Sequence, residues 1–393
     1  MKYNFDASPD RRGSESFKWR EYPADVLPLF VADMDFCSPP PVAQALREYV
    51  DQGVFGYPRG LHTFDHEELP ELCQTVVERM HQRYRWTIAP EDVVLIPGIV
   101  PALSLACHTV APEGGAVLAQ PPVYPPILNS SNKAHMRRQD AELVRQKDGS
   151  YEIDWRTFTA AITGETRMFL LCNPHNPVGR VFRRDELLRM AEICLSRNVL
   201  ICADEIHSDL LFDGLEHVPM ASLAPEIADQ TITFVSPSKT FNLAGVQCAF
   251  AIISNADLRR RFQAAREGLT GWVNVMGLLA AEAAYRVGQP WLDELLPYLQ
   301  ENRDFLAAFI EKELPSINMW KPEGTYLAWL DCRGAGIADP YQFFLKEARV
   351  AFSNGPTFGS GGTGFVRLNF GCTRATLEAA LNRMKTAMQR LPG

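Results

Sequence analysis

Between about residues 90 and 253 the chain alternates short, wholly apolar runs with longer stretches whose apolar positions recur every three to four residues. Uninterrupted apolar runs of this length fit strands buried on both faces, and the longer spacing fits helices laid over them. Val93–Ile96, Ala116–Ala119, Met168–Cys172, Val199–Ala203, Thr231–Val235 and Cys248–Ile253 are predicted strands, with helices over Pro101–Val110 and Arg184–Arg197 among the connections. Such alternation predicts an α/β fold whose large domain has three layers around a mostly parallel sheet.

The flanking regions follow other patterns. Upstream, Leu29–Ala32 is strand-like, and Pro39–Pro41 start a helix running to about Asp51, since proline is tolerated in a first turn. A helical stripe of Leu69, Leu72, Val76, Val77 and Met80 covers about 69–85. Pro121, Pro122, Pro125 and Pro126 around Tyr124 predict a stiff loop. Downstream, helices are predicted over Ala256–Glu267, Gly271–Val287 and Leu292–Glu313. The last would span ~30 Å at ~1.5 Å per residue, enough to link two domains. Strands over Thr325–Asp331, Val350–Ser353 and Phe365–Phe370, with helices over Tyr341–Ala348 and Ala375–Leu391, predict a smaller α+β domain. The expected division is an N-terminal segment, 1–48, contributing to the small domain, a large domain at 49–288 and the small domain at 289–393.

Length agrees with two domains, because single cores stop growing at roughly 250–300 residues and this chain has 393. The net charge is −8 with basic residues scattered, which argues against a nucleic-acid partner. Nine cysteines, odd in number and without a CxxC pair, sit partly within apolar runs, as buried thiols do in a reducing compartment, and point to the cytoplasm. Met1–Gly13 is polar and lacks the apolar core of a secretory signal. No run approaches the ~18 apolar residues of a membrane span, so no membrane association is expected.

Chemistry concentrates just past the predicted strand ends, where open α/β sheets bind ligands. Lys239 follows Thr231–Val235 within Ser236-Pro237-Ser238-Lys239-Thr240. It is either a loop lysine in a Ser-rich turn or, if withdrawn from water, a nucleophile able to form a Schiff base. The hydroxyls of Ser236, Ser238 and Thr240 would suit a phosphate. Asp204-Glu205-Ile206-His207 closes another strand and admits three readings. An ATPase box needs a GxxxxGK[ST] loop, which the sequence lacks. A metal site on Asp204, Glu205 and His207 lacks a second ligand cluster. The third reading is a carboxylate facing a ring nitrogen beside Lys239.

Asn173-Pro174-His175-Asn176-Pro177-Val178-Gly179 predicts a tight turn, with cis proline an option, aiming amides past its strand. Pro97-Gly98-Ile99-Val100 reads as a strand–glycine–helix junction, whose backbone N–H groups can hold a phosphate. Tyr124 is either a stacking ring or a core cap, and Tyr57 a packing residue or a site residue. Arg367 is either a solvent-facing charge on its strand or a holder of a carboxylate. Together Gly98, Tyr124, Asn176, Asp204 and Lys239 match what pyridoxal phosphate needs: an amine, an anion for its ring nitrogen, a donor to its ring oxygen, a stacking ring and a phosphate cradle.

Taken in order, NPxNPxG at 173–179, DEIH at 204–207 and SPSKTFNLAG at 236–245 make the sequence resemble the fold type I pyridoxal-phosphate enzymes, the aspartate aminotransferase superfamily, over essentially its whole length. VADMDF at 31–36, FGYP at 55–58 and RLNFGCTR at 367–374 look like its MalY/PatB branch of cystathionine β-lyases, or C–S lyases. The resemblance implies that Lys239 carries the Schiff base, Asp204 meets the pyridine nitrogen, Asn176 donates to the ring oxygen and Tyr124 stacks on the ring. It gives the phosphate to Ser236, Ser238 and the Gly98-Ile99-Val100 turn, the substrate carboxylate to Arg367, and places His207 beside the cofactor. Tyr57 would reach the neighbouring subunit's phosphate, which implies a homodimer with shared sites. Two positions depart from aspartate aminotransferases: His207 replaces a tyrosine, and Gln247 stands where they carry a phosphate-binding arginine. The implied activity is α,β-elimination from cystathionine or another cysteine S-conjugate. An aminotransferase shares the steps up to the carbanion. A regulatory protein using this fold to bind a partner is the third possibility, and the expected start of the domain within about 30 residues of Met1 leaves no room for a DNA-binding module.

Overall fold

The computed structural model describes residues 3–60, 67–110 and 114–391, so the first two residues of the expected N-terminal segment lie outside it. Six wholly or mainly apolar runs and one polar run, β3, form one sheet: β1 (Val93–Ile96), β2 (Ala116–Ala119), β3 (Arg137–Asp140), β4 (Thr166–Cys172), β5 (Leu200–Asp204), β6 (Thr231–Val235) and β7 (Ala249–Ile252). Their order is β1-β7-β6-β5-β4-β2-β3, and only β7 runs against the rest. The C-terminal ends of the other strands therefore share one edge.

Alternate strand residues enter two different apolar layers, as the pleat requires. Val94, Ile96, Val117, Ala119, Met168 and Leu170 pack with Leu103 and Ala106 of α3 (Ile99–Val110). Leu118, Phe169, Leu171, Ile201 and Ala203 pack with Leu187, Met190 and Cys194 of α5 (Arg184–Ser196). These are the three layers expected. Two helices precede the sheet, α1 (Pro40–Asp51) and α2 (Pro70–Tyr84), and both pack on α8 (Val275–Val287). Between them in sequence lie α4 (Pro125–Lys133), α6 (Pro237–Thr240) and α7 (Ala256–Arg266). The long α9 (Gln289–Glu313) leads into a four-stranded antiparallel sheet. Its strands are β8 (Asn318–Met319), β9 (Leu327–Asp331), β10 (Ser353–Asn354) and β11 (Phe365–Asn369), ordered β8-β9-β11-β10, and α10 (Arg374–Met388) packs against α9.

Several expectations are corrected. The stiff loop after Tyr124 is a helix, because Pro125 and Pro126 occupy the first turn of α4, where their missing N–H groups are no loss. The helix expected from Gly271 starts at Val275, where Asn274 caps it by accepting from the Gly277 N–H. The stretch Val350–Ser353 divides: Val350–Ala351 pairs in parallel with Leu27–Pro28, while Ser353–Asn354 joins β11. Pro340–Phe343 is helical but continues as a wider π turn to Ala348. Leu29–Ala32 is not a strand; the Phe30, Val31 and Ala32 carbonyls are bound by the side chains of Arg367, Asn369 and Lys239 rather than by a ladder.

Candidate active site

The shared strand edge opens into a cavity of ≈ 270 Å³ whose wall includes Gly98, Ile99, Val100, Tyr124, Asn176, Asp204, His207, Ser236, Ser238 and Lys239. Ten of the twelve residues to which the resemblance gives a site role thus meet at one place. Each arrives by a short local device. Asp204 ends β5, opposite Cys172 at the end of β4. Lys239 sits in α6, which Ser236 caps by accepting from the Ser238 N–H at 3.1 Å. Gly98 has φ +103°, a turn that favours glycine, and delivers the chain into α3. The N–H groups of Ile99 and Val100 belong to a first helical turn, which has no internal acceptors for them.

The two asparagines of the 173–179 loop divide their work. Asn173 Oδ1 accepts from the Phe182 N–H at 3.0 Å and closes the loop. Asn176 Oδ1 accepts from Arg367 Nη1 at 2.9 Å, which turns its NH₂ group away from Arg367 as the donor left for a ligand. The peptide bonds preceding Pro174 and Pro177 are both cis. Glu205 faces away from the cavity, accepting from the Met220 N–H at 2.8 Å and lying 2.9 Å from His217 Nε2. The acidic strand end therefore splits, and among the described residues no group of three side chains could hold a metal ion.

Burial governs the electrostatics. The Asp204 carboxyl is raised to about 7 by desolvation, against which the Ile206 N–H and the Lys239 charge pull it down. The Lys239 amine is lowered to about 8 by desolvation and by Arg367. Burial, with the Lys239 and Arg367 charges, holds His207 well below the ordinary imidazole range, so it is neutral. Its Nδ1 is buried without a partner among the described residues. Burial also raises the Tyr124 phenol. The Lys239 Nζ donates to the Ala32 carbonyl at 2.7 Å, a bond that Tyr326 Oη shares at 2.9 Å. Neither Ala32 nor Tyr326 was identified from sequence; VADMDF marked the first, but its carbonyl has no sequence signature.

Three residues lie outside the cavity wall. Thr240 does not line the cavity: its hydroxyl donates to buried Asp209 at 3.1 Å, so it is removed from the phosphate set. Arg367 stands behind Asn176 rather than in the wall, only 5% exposed, donating to the Phe30 carbonyl at 2.8 Å and Ser353 Oγ at 3.0 Å, with Nε buried and unpartnered. Tyr57 is 79% exposed outside the cavity, edge-on to Trp272. Of the two phosphate serines, Ser236 gives its hydroxyl hydrogen to the Cys248 carbonyl at 2.7 Å, whereas Ser238 Oγ makes no bond among the described residues.

A titratable amine, a buried carboxylate, an amide donor, an aromatic ring and a helix N-terminus around one cavity fit the needs of pyridoxal phosphate. The raised Asp204 carboxyl fits in particular, since a carboxylate in a dry site is stabilised by an adjacent cationic ring nitrogen.

Known proteins agree with this geometry. The chain is 40% identical over 395 residues to "Cystathionine beta-lyase PatB" of Bacillus subtilis, covering 98% of this chain and 100% of that one. It is 31% identical to "Protein MalY" of Escherichia coli K12, over 98% of this chain and 99% of that protein. The crystal structure of cystalysin from Treponema denticola, which contains a pyridoxal 5'-phosphate cofactor, superposes with a TM-score of 0.93 at 32% identity, covering 100% of both chains. The model of the family "Aminotransferase class I and II" matches residues 24–384, and the chain belongs to that family.

Proposed function

We propose that this chain is a pyridoxal-phosphate-dependent carbon–sulfur β-lyase, cleaving L-cystathionine or a related cysteine S-conjugate, with one water consumed, to a thiol, pyruvate and ammonia. The observation that carries it is the meeting of the half-buried Lys239 amine and the buried Asp204 carboxylate in one cavity, in a chain 40% identical end to end to PatB.

Bound there, pyridoxal phosphate supplies an aldehyde for amines and a heterocycle that takes up the electron pair released at the substrate α-carbon. Lys239 would hold that aldehyde, and its Nζ, once displaced by the substrate's own amine, would remove the substrate α-proton. With its pKa near 8, the amine is partly neutral at physiological pH and suited to act as a base. Asp204 would hold the proton on the ring nitrogen, Asn176 Nδ2 would donate to the ring oxygen, and Tyr124 would flank the ring. The Ile99 and Val100 N–H groups and Ser238 Oγ would receive the phosphate; with Gln247 in the wall in place of an arginine, backbone would carry more of that charge. Arg367 orients the substrate carboxylate from behind Asn176, with Nε and its remaining Nη1 hydrogen as donors.

We further propose a homodimer. Val54, Phe55, Tyr57, Leu269 and Trp272 are exposed apolar residues, and covering them with a second copy would bring Tyr57 to the partner's phosphate. All nine cysteines are free thiols, which supports placement in the cytoplasm. Among the described residues no helix is long and apolar enough to cross a membrane.

The test is incubation of cofactor-loaded protein with L-cystathionine and no keto acid. Continuous release of pyruvate and thiol over many turnovers is expected. A single turnover ending in the amine form of the cofactor would instead make the chain an aminotransferase.

A further inference from the structure

Three sequence motifs meet at one irregular strand of backbone that the mechanism above does not use. Residues 30–34 lie outside any sheet, yet their carbonyls are bound one after another by side chains. Asn242, three residues beyond Lys239, donates from Nδ2 to the Met34 and Phe36 carbonyls at 2.9 and 2.8 Å, and its Oδ1 accepts from the Met34 N–H at 2.9 Å. Asn369, two residues beyond Arg367, donates from Nδ2 to the Val31 and Asp33 carbonyls at 2.5 and 2.6 Å, while its Oδ1 accepts from the Gly371 N–H at 2.7 Å. Ala32, the residue between those two carbonyls, is the one that receives Lys239 Nζ.

The two asparagines come from different parts of the molecule, one beside α6 at the sheet edge and one at the end of β11. Asn369 is fully buried, and Asn242 holds φ +58°, a conformation asparagine accepts more readily than most residues. A plain crossover segment would need neither. Four donor bonds to consecutive and near-consecutive carbonyls leave the strap little freedom to slide or rotate, and the carbonyl they frame is the acceptor of the reactive amine.

We propose that Asn242 and Asn369 are positioning residues that hold the 30–34 strap so that the Ala32 carbonyl aims the free amine of Lys239. This rests on the reading of Lys239 as the reacting amine. A fixed acceptor restricts the amine to one direction, which favours proton transfer over a freely rotating side chain. It also stabilises the charged amine, because a carbonyl accepts from an ammonium more strongly than from a neutral amine.

The test uses Asn242→Gly, which keeps the left-handed backbone without strain, Asn369→Ser, the double variant, and Asn302→Ser as a control. Asn302 is another fully buried asparagine, donating to the Phe370 and Cys372 carbonyls away from the strap. In cofactor-free protein, reductive methylation of Lys239 is followed against pH by mass spectrometry. Its half-reaction pH is expected to fall in Asn242→Gly and Asn369→Ser and to stay at the wild-type value in Asn302→Ser. In the loaded enzyme each single variant is expected to lower kcat about tenfold with KM changed less than about twofold. The double variant should be little worse than either single one, since both act through the same strap.

An unchanged half-reaction pH in Asn242→Gly overturns the proposal, and Asn242→Gly carries the test alone should Asn369→Ser not fold. Losses in kcat that multiply in the double variant overturn it as well. Failure of the underlying reading is distinguishable, because Lys239→Ala would then retain turnover whatever the asparagine variants do.

Discussion

Asp204 is a carboxyl group placed where its charge is disfavoured until something cationic stands beside it. In the cofactor-free protein its pKa lies near 7, against 3.8 for an ordinary aspartate, with burial the main cause. A raised carboxyl pKa means that the folded state holds the proton more tightly than the unfolded chain. Stability is therefore lost as pH rises from about 4 to about 7, and the loss is complete above that. At about 1.4 kcal/mol per pKa unit, the ceiling is about 4 kcal/mol. Asp204→Asn should raise the melting temperature of the cofactor-free protein at pH 8 and leave it nearly unchanged at pH 4, while weakening cofactor binding. Calorimetry at the two pH values checks this, and equal melting temperatures at pH 8 would contradict it. Lys239, Asp204 and Asn176 were legible from sequence because each follows a wholly apolar strand or a proline-fixed turn. The roles of Ala32 and Tyr326 were not legible: a backbone carbonyl looks the same in every residue, and Tyr326 enters the site through a hydrogen bond spanning 294 residues.

At the level of elements, what the apolar pattern could show was burial on both faces. Five of the seven sheet strands, β1, β2 and β5 to β7, lie within one residue of their expected bounds for that reason, and β4 begins two residues early at Thr166. β3 was missed because its residues, Arg137-Arg138-Gln139-Asp140, are polar and mostly exposed, as an edge strand allows. α4 escapes the loop expectation because Pro125 and Pro126 mark a helix start, not a loop. Leu29–Ala32 departs in the opposite sense: Leu29 is buried and the other three half-buried, but the carbonyls of Phe30, Val31 and Ala32 are bound by side chains brought in from distant segments, an arrangement no local pattern encodes. The loop of 173–179 falls between these cases. Its prolines announced a fixed turn, and only the packing showed that Asn173 fastens the loop and Asn176 faces the ligand.

For the whole molecule, the site as one chain builds it has no contribution from Tyr57, which is exposed beside Trp272. If a second copy covers this patch and supplies Tyr57 to its neighbour, each site draws on two chains. Lys239→Ala and Tyr57→Ala subunits would then complement each other, because in a mixed dimer one site has both residues intact. Unfolding and refolding the two variants together should give activity well above the mean of the separately refolded variants. No gain over that mean would show that sites are not shared.

The account as a whole stands on a covalent bond between one lysine and an aromatic aldehyde. Cofactor-loaded protein reduced with sodium borohydride, digested and mapped by mass spectrometry measures that bond directly. The expected result is a phosphopyridoxyl group on the peptide containing Lys239 and on no other lysine. A label elsewhere, or a Lys239 peptide that remains unmodified after reduction, would contradict it.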